Sequence, residues 1–268
     1  MNISSRSLYH YTRGFEVVKL ILENGLRFNQ LEEELPLTGY ASNIFDQLPG
    51  VVRHVQFREG ICFCDLPLHA AESHRTQYGS YAFGLSREWG MRVGASPVRY
   101  VHRKSPDIGS EFFCTILDTP KEIRRLGTIY DLMAHVLQGE VPDRELLSDA
   151  HRKVLDGVDE FCRKLLDFCD FSASYLRVHD GDWEDRVTGD ISHRKFYDER
   201  EWRIVRSPGR DNHVQFTDEH IHHILVETDE ERDELIAHAT EICTHLQIPS
   251  PDSFARKVKT FSETYDEA

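Results

Sequence analysis

Strand-like segments at both ends of the chain enclose a long stretch that has only helical periodicity. Before residue 109 the short runs SLYHYT, GICFCD, YAFGLS and VRYVH are typical of strands, and EWRIVRS and HHILVET continue that pattern after residue 171. Between them, apolar residues recur at spacings of three and four, which predicts helices. The order of these segments predicts an α+β fold with a helical insertion.

The predicted organisation has three parts: residues 1–108 form the first half of the core, 109–171 the helical insertion, and 172–268 the second half with a C-terminal helix. Thr228 and Glu231 have the spacing of a capping box, which marks the start of that helix. Residues 28–57 lack a clear period and are predicted to form a long loop with room for short elements. Residues 179–193 are a predicted polar loop, and the acidic C-terminal tail is predicted to fray. In the insertion, one apolar helix face is expected to pack against the fold; it comprises Leu147, Ala150, Val154, Val158, Phe161 and Leu165.

The charge of the chain is unevenly distributed. The formal net charge is −14, and residues 1–110 carry 12 basic and 11 acidic side chains while residues 111–268 carry 20 and 35. A net acidic charge disfavours general nucleic-acid binding, which depends on neutralising phosphates with Lys and Arg. Two interpretations of the N-terminal half remain, a solvated mixed surface or a local basic patch formed by Arg87, Arg92, Arg99, Arg103 and Lys104.

No apolar run approaches the ~20 residues of a membrane span, and the first residues, MNISSRSLYHYT, do not resemble a signal peptide. We therefore expect a cytoplasmic protein without a membrane partner. The 6 cysteines form no C-x-x-C pair and are predicted to be small buried residues. His220, His222 and His223 lie close together but have no carboxylate or cysteine at a recognisable ligand spacing, so no metal site is predicted.

The segment FYDEREWRIV places two carboxylates, Glu199 and Glu201, at the start of a predicted strand. The simpler interpretation is an edge strand with a solvated, charged approach. By the two-residue period of a strand, Arg203 shares a face with Glu201 and could pair with that carboxylate or with a phosphate. His10 lies on another predicted strand, where a buried, hydrogen-bonded role competes with a catalytic one. No glycine-rich phosphate loop is present, which disfavours a Rossmann or P-loop site.

Three separated segments together resemble the ADP-ribosyltransferase fold. LYHYTRGFEVVKLILENGLRF is similar to the start of bacterial members that modify nucleic acid, GICFCDLPLHAAESH resembles an element of the poly-ADP-ribose polymerase branch, and a later strand begins with Glu201. This resemblance implies a split β-sheet core and NAD as the substrate, with no metal. It assigns Glu201 to the oxocarbenium-like ribose and Glu199 to the acceptor. The NAD-binding residues it implies are His10, Tyr11, Thr12, His74, Tyr78, Tyr81 and Arg203, with Tyr81 or Tyr78 stacked against nicotinamide.

A further resemblance covers most of residues 7–206. The ordered segments ICFCDLPL, YGSYAFGLSREWG, PVRYV and YDEREWRIV are similar to the AbiGi abortive-infection family of phage-resistance antitoxins. The two resemblances together imply an NAD-dependent mono-ADP-ribosyltransferase of bacterial phage defence that modifies RNA, single-stranded DNA or protein. The alternative is a non-enzymatic antitoxin with a degenerate transferase fold, in which the acidic C-terminal half masks a basic toxin. A cognate toxin or antitoxin is the implied protein partner.

Overall fold

The computed structural model describes residues 6–36, 52–70, 72–101, 149–184 and 189–266. The chain divides into two compact units, one formed by residues 1–31, 59–100 and 177–268, and the other by residues 32–58 and 101–176. Most of the predicted helical insertion, including Leu147, falls in residues 102–148, outside the described residues, and its boundaries stay a prediction. In the described part of the chain, no helix combines the length and the apolar character that crossing a membrane requires.

A mixed sheet of eight strands organises the fold. Its strand order is β14-β13-β5-β1-β4-β11-β6, with β3 also paired to β4; β13 and β14 are parallel, and the neighbours from β13 to β6 are antiparallel. The sheet strands are β1 (Ser7–Thr12), β3 (Asn29–Pro36), β4 (Val52–Cys64), β5 (Tyr81–Ser86), β6 (Ser96–Pro97), β11 (Glu201–Val205), β13 (Ile221–Val226) and β14 (Val258–Thr260).

The remaining described strands form three two-stranded pairs. These are β2 (Leu26–Arg27) with β12 (His213–Val214), β7 (Arg99–Val101) with β8 (Leu176–Val178), and β9 (Gly181–Glu184) with β10 (Ile191–Arg194). The helices are α1 (Phe15–Asn24), α2 (Glu72–Tyr78), α3 (Arg87–Arg92), α4 (Asp149–Ala173), α5 (Asp229–Ala237), α6 (Ala239–Leu246), α7 (Pro251–Ala255) and α8 (Phe261–Asp266), with 3₁₀ turns at Leu68–Ala70, Phe196–Glu199 and Asp218–His220.

The two faces of the sheet differ in chemistry. Residues such as Leu8, Phe83 and Ile204 belong to the main hydrophobic core, to which α1 and α3 contribute Val18 and Trp89. The opposite face carries a small apolar cluster of Tyr9, Ala82, Leu225 and Phe261. Because side chains alternate along a strand, Glu201 and Arg203 point away from the main core. Burial of apolar side chains therefore stabilises one face, while the other face contains buried polar groups.

Local features define two helix ends, and one of them, the capping box, confirms a prediction from the sequence. Helix α1 ends where Gly25, at φ 80°, donates its amide to the carbonyl of Ile21 at 2.9 Å. The capping box of Thr228 and Glu231 is present at the start of α5. Left-handed φ at Gly25 suits glycine, and a Cβ there would lie 2.6 Å from the carbonyl oxygen of Val214.

Two loop predictions are wrong over parts of the residues that the structure describes, and the prediction of a frayed tail is wrong as well. Residues 29–36 and 52–57 belong to β3 and β4, and residues 181–184 and 191–194 form a hairpin. The predicted frayed tail instead supplies β14 and α8, with Thr260, Phe261 and Thr264 buried. A three-residue strand is too short for a period-two pattern, and it is held by its parallel partner β13 and by packing, which sequence periodicity does not report.

Replacing Phe261 by Ala tests the structural role of the C-terminal segment. The buried ring contacts Tyr11 and the guanidinium of Arg75, which lies 4.1 Å from the ring centre. Truncation leaves a cavity, so the free energy of unfolding measured in urea should fall by about 3–5 kcal/mol. Thr240→Ala, at an exposed position, should change it by about 0.5 kcal/mol or less. Equal effects of the two substitutions would show that the tail does not support the fold.

Candidate functional site

A buried ionic cluster lies on the sheet face opposite the main core. It joins residues from three parts of the chain: Tyr78 from α2, Arg177 from β8, and Glu199, Glu201 and Arg203 around the start of β11. Both carboxylates and both arginines are buried, with exposed fractions between 2% for Arg203 and 9% for Arg177. Buried charges at this density are rare unless they are paired, and they mark candidate functional sites.

Glu201 is held by both arginines. The Nε of Arg203 donates to Oε1 of Glu201 at 2.6 Å and its Nη2 donates to Oε2 at 3.1 Å, while Nη1 of Arg177 also contacts Oε2. Burial raises the pKa of Glu201, but Arg177, Arg203 and the Cys62 thiol outweigh it and hold the pKa at about 2. Glu201 is therefore ionised throughout the physiological range, and its charge is compensated within the protein.

Glu199 occupies the same cluster from a different backbone segment. Its carboxylate accepts hydrogen bonds from the Tyr78 hydroxyl at 3.0 Å and lies 2.7 Å from Nη1 of Arg177. Burial raises the pKa of Tyr78, so its hydroxyl stays protonated and donates. The ring of Phe196 also helps to position Arg177, because the guanidinium lies 4.6 Å from the centre of that ring.

The backbone at Arg200 explains why two glutamates two residues apart reach one point. Glu199 ends the 3₁₀ turn Phe196–Glu199, and Arg200 adopts a left-handed conformation (φ 47°, ψ 50°) before β11 begins at Glu201. Such a conformation is uncommon for a residue other than glycine. The reversal lets Glu199 approach Arg177 from the turn while Glu201 approaches it from the strand.

The strand register fixes Glu201 and Arg203 in the interior of the sheet. Glu201 is paired with Cys64 and Arg203 with Cys62 on one side of β11, and β6 lies on the other side. The backbone amide of Glu201 also donates to the hydroxyl of Tyr100 at 2.8 Å. β11 is therefore not the solvated edge strand of the simpler interpretation, and Arg203 pairs with Glu201 as the strand period suggested.

Some of the residues that the sequence assigned to NAD lie near this cluster. Tyr11 and Tyr78 flank the buried His74, with ring centres 5.7 and 5.3 Å from that of His74. Burial, and to a smaller extent the charge of Arg177, lower the pKa of His74 to about 4, so the imidazole is neutral at physiological pH. Its Nδ1 is buried and makes no hydrogen bond to any residue that the structure describes. The structure thus brings together Glu199, Glu201, Arg203, Tyr78, His74 and Tyr11.

The structure does not bring His10, Thr12 or Tyr81 to the cluster. Cys64 is in register with Tyr9 on one side and with Glu201 on the other, so Tyr9 and Glu201 share a face of the sheet. Because side chains alternate along a strand, His10 points to the opposite face. His10 bonds through Nδ1 to the Cys62 carbonyl at 2.9 Å, and burial lowers its pKa. Thr12 is two residues after His10 on β1 and therefore lies on the same face as His10, away from the cluster.

Tyr81 belongs to the main core rather than to the cluster. Its hydroxyl donates to Glu231 of α5 at 2.7 Å, and its ring lies 6.3 Å from that of Phe15. Sequence reasoning also missed two members of the site, Arg177 and Tyr100. Arg177 lies in YLRV, a short alternating run between the predicted insertion and the predicted loop, and that alternation was the available signal.

The other candidate ligands have separate partners. Nδ1 of His220 accepts from the Thr217 amide at 3.0 Å in a 3₁₀ turn, whereas Nδ1 of His222 is 2.7 Å from the Ser7 hydroxyl. Among the described residues, no three His, Cys, Asp or Glu side chains are arranged to hold a metal ion. Burial raises the pKa of both Cys62 and Cys64, which disfavours reactive thiolates.

Comparison with known proteins identifies the family of the chain. The model of a family of abortive phage resistance proteins, AbiGi, described as antitoxins, matches residues 53–234, about two thirds of the sequence. The chain belongs to the AbiGi family. The match includes β11 and all five residues of the ionic cluster, so the cluster is part of the AbiGi region of the chain.

A curated relative agrees with this assignment over a short segment. The chain is 37% identical over 49 residues to the abortive phage resistance protein AbiGi of Lactococcus lactis subsp. cremoris, which covers 16% of this chain and 20% of that protein. The chain thus spans about a fifth of the length of the curated relative it matches. No solved structure matches the chain. The transferase resemblance therefore rests on the sequence segments alone.

Removing the Arg203 guanidinium tests how strongly the cluster depends on charge pairing. Arg203→Met leaves two buried carboxylates with one arginine, so the free energy of unfolding should fall by about 3–5 kcal/mol. Arg206→Met is the matched control, because Arg206 pairs with Glu59 where both side chains are about a third or more exposed. That substitution should cost about 1 kcal/mol or less. Equal losses in urea denaturation would contradict the assignment of a buried, charge-dependent cluster.

Proposed function

We propose that this chain acts in abortive phage resistance as an antitoxin that binds its toxin, without transferring ADP-ribose. Two findings support the proposal: the chain belongs to a family described as antitoxins, and the carboxylate expected to be catalytic is fully engaged within the protein. The pairing of Glu201 with Arg203 and Arg177 carries the argument. A protein partner, rather than NAD, is then the ligand of the chain.

Electrostatics argue against Glu201 as a catalyst of nicotinamide release. Cleavage of the nicotinamide–ribose bond develops positive charge on the ribose, which a carboxylate stabilises only if its own charge is available. Two carboxylates and two guanidiniums in the cluster sum to zero charge. A ribose hydroxyl would also have to displace Arg203 from its 2.6 Å contact, leaving a buried guanidinium unpaired.

The acidic C-terminal region supplies a surface for a basic toxin. Helix α5 begins with Asp229, Glu230 and Glu231 and continues with Asp233 and Glu234, and all of these except Glu231 are exposed. Clustered exposed carboxylates raise the association rate with a positively charged partner and oppose a negatively charged one. We assign this acidic face of α5, defined as Glu230, Asp233 and Glu234, to toxin contact.

Neutralising the acidic face of α5 tests toxin binding. The toxin is isolated with the tagged full chain and identified by mass spectrometry, and its dissociation constant is then measured by calorimetry. Glu230→Gln, Asp233→Asn and Glu234→Gln together should raise the dissociation constant about tenfold or more and weaken the effect of salt on binding. The control protein carries Glu72→Gln, Glu88→Gln and Asp211→Asn, which remove the same charge at exposed positions elsewhere. Its dissociation constant and the effect of salt on binding should not change. Equal effects of the two triple variants would contradict this assignment.

A second candidate function is NAD-dependent mono-ADP-ribosyl transfer. The observation that favours it is the convergence of Glu199 and Glu201 beside Tyr78 and His74, including a buried imidazole nitrogen without a hydrogen bond. In this alternative the nicotinamide–ribose bond breaks, Glu201 stabilises the ribose cation, and Glu199 accepts the proton of the attacking acceptor. RNA, single-stranded DNA and protein are the acceptors to be compared.

Labelled NAD separates the two functions. Purified full-length chain is incubated with NAD labelled in its adenosine part and with cellular RNA, single-stranded DNA or lysate protein, and Glu201→Gln serves as the matched variant. We expect no transfer above the level of the variant, because Glu201 is compensated by two arginines. Transfer by the wild-type chain that disappears in Glu201→Gln would contradict the antitoxin proposal and establish the second candidate.

A further inference from the structure

A cavity of about 500 Å³ lies among the C-terminal elements of the chain, bordered by α5, α7, β14 and α8. It shares no residue with the ionic cluster around Glu201. Three basic residues, Arg232, Arg256 and Lys259, and the acidic Glu263 form its polar lining. Pockets that hold small molecules have volumes of roughly 300–1,000 Å³. The C-terminal cavity is therefore large enough for a small ligand.

The charge of this lining is opposite to the charge of the chain. Three basic side chains and one acidic side chain leave an excess of two positive charges in the cavity. The whole sequence has 32 basic and 46 acidic residues and a formal net charge of −14. Positive charge gathered in a concave surface attracts negatively charged ligands. The lining therefore favours an anion in a protein whose surface as a whole repels anions.

The carboxylates near the cavity oppose an anion only weakly. Glu263 uses both oxygens: Oε1 accepts from Arg232 at 2.7 Å and Oε2 accepts from the amide of Thr260 at 2.7 Å. Asp229 and Asp233 also pair with Arg232, but they lie outside the lining. Their side chains are 68% and 70% exposed, so water and salt screen their charges.

The cavity follows the open edge of β14. On the other side of this strand, the amide of Ile224 in β13 donates to the carbonyl of Lys257 at 2.7 Å. In that parallel register, the backbone N–H and C=O of Val258 point away from β13. Val258 lines the cavity, and no described strand pairs with this edge. The Val258 amide is therefore a hydrogen-bond donor on the cavity side of the strand.

Arg256 adds a cation that is available to a ligand. It follows the last residue of α7, and its exposed side chain makes no hydrogen bond or ion pair with any residue that the structure describes. A guanidinium binds two oxygens of a phosphate with its planar fork, and a lysine binds phosphate as a point charge. Arg256, Lys259 and the Val258 amide together provide the donors that a phosphate group requires.

We propose that the C-terminal cavity binds a small organic phosphate monoester. The phosphate group contacts Arg256, Lys259 and the Val258 amide, and the organic part packs on the apolar lining residues Ile236 and Ala255. A phosphate monoester has a charge of about −1.5 to −2 at pH 7, which matches the excess of two positive charges, whereas a carboxylate has only one charge. This site is independent of the toxin contact assigned to α5.

An NMR titration of the ¹⁵N-labelled full chain with phenyl phosphate tests the site. The amide resonance of Val258 should shift with a dissociation constant on the order of 1 mM. Inorganic phosphate has the charge without the ring, benzyl alcohol has the ring without the charge, and benzoate has a single charge. Each of these three compounds should bind about tenfold or more weakly than phenyl phosphate.

Two substitutions separate the polar and apolar contacts. Arg256→Gln should raise the dissociation constant of phenyl phosphate about tenfold, because it removes a charged donor. Arg27→Gln, which removes the same charge at an exposed position of β2, is the matched control and should leave it unchanged. Ile236→Ala should weaken the binding of phenyl phosphate about threefold or more and leave that of inorganic phosphate unchanged.

Three results would overturn the proposal. The first is a Val258 resonance that does not move at phenyl phosphate concentrations up to about 10 mM. The second is equal loss of affinity in Arg256→Gln and Arg27→Gln, which would show a general effect of net charge. The third is inorganic phosphate that binds as tightly as phenyl phosphate, which would identify an adventitious ion only.

Discussion

The pairing of Glu201 with two buried guanidiniums holds together the segments around the start of β11 and limits what this site can bind. A charge transferred from water to a protein interior loses several kcal/mol of solvation, and only close, hydrogen-bonded partners offset that loss. Arg203 meets Glu201 along its own strand, and Arg177 meets both glutamates from β8. Each of these groups is stable in the interior only while the others are present. The cluster therefore ties β8, α2 and the start of β11 to one position.

This mutual dependence also determines what the cluster can do. A carboxylate that is free to approach a ligand can stabilise a developing cation, but one that is already bound by two arginines makes little net field outside the cluster. The chain belongs to a family of abortive phage resistance proteins described as antitoxins. A buried cluster whose charges are compensated stabilises the fold, and such a protein contacts its partners through its surface. The acidic face of α5 is such a surface.

Sequence patterns predicted the elements that carry the site better than the site itself. The alternation in EWRIV correctly placed Glu201 and Arg203 on one face, because period-two alternation is a local property of a strand. The same alternation could not show that His10 lies on the other face, since that depends on the register of β1 against β4, with Tyr9 opposite Cys64. Arg177 was missed because a three-residue strand gives little periodic signal. The C-terminal strand β14 was missed for the same reason, although the structure places it beside β13.

A ¹³C NMR titration of the Glu201 side-chain carboxyl, with and without NAD, distinguishes a carboxylate held by two arginines from one that is free to bind a ligand. The arginines hold the pKa of Glu201 at about 2, below the ~4.3 of an exposed glutamate, so their stabilisation is present above pH ~4.3 and is lost as the pH falls towards 2. We predict a carboxyl resonance that remains that of an ionised group down to about pH 3 and does not respond to NAD. A midpoint near pH 4.3, or a resonance that moves when NAD is added, would contradict it.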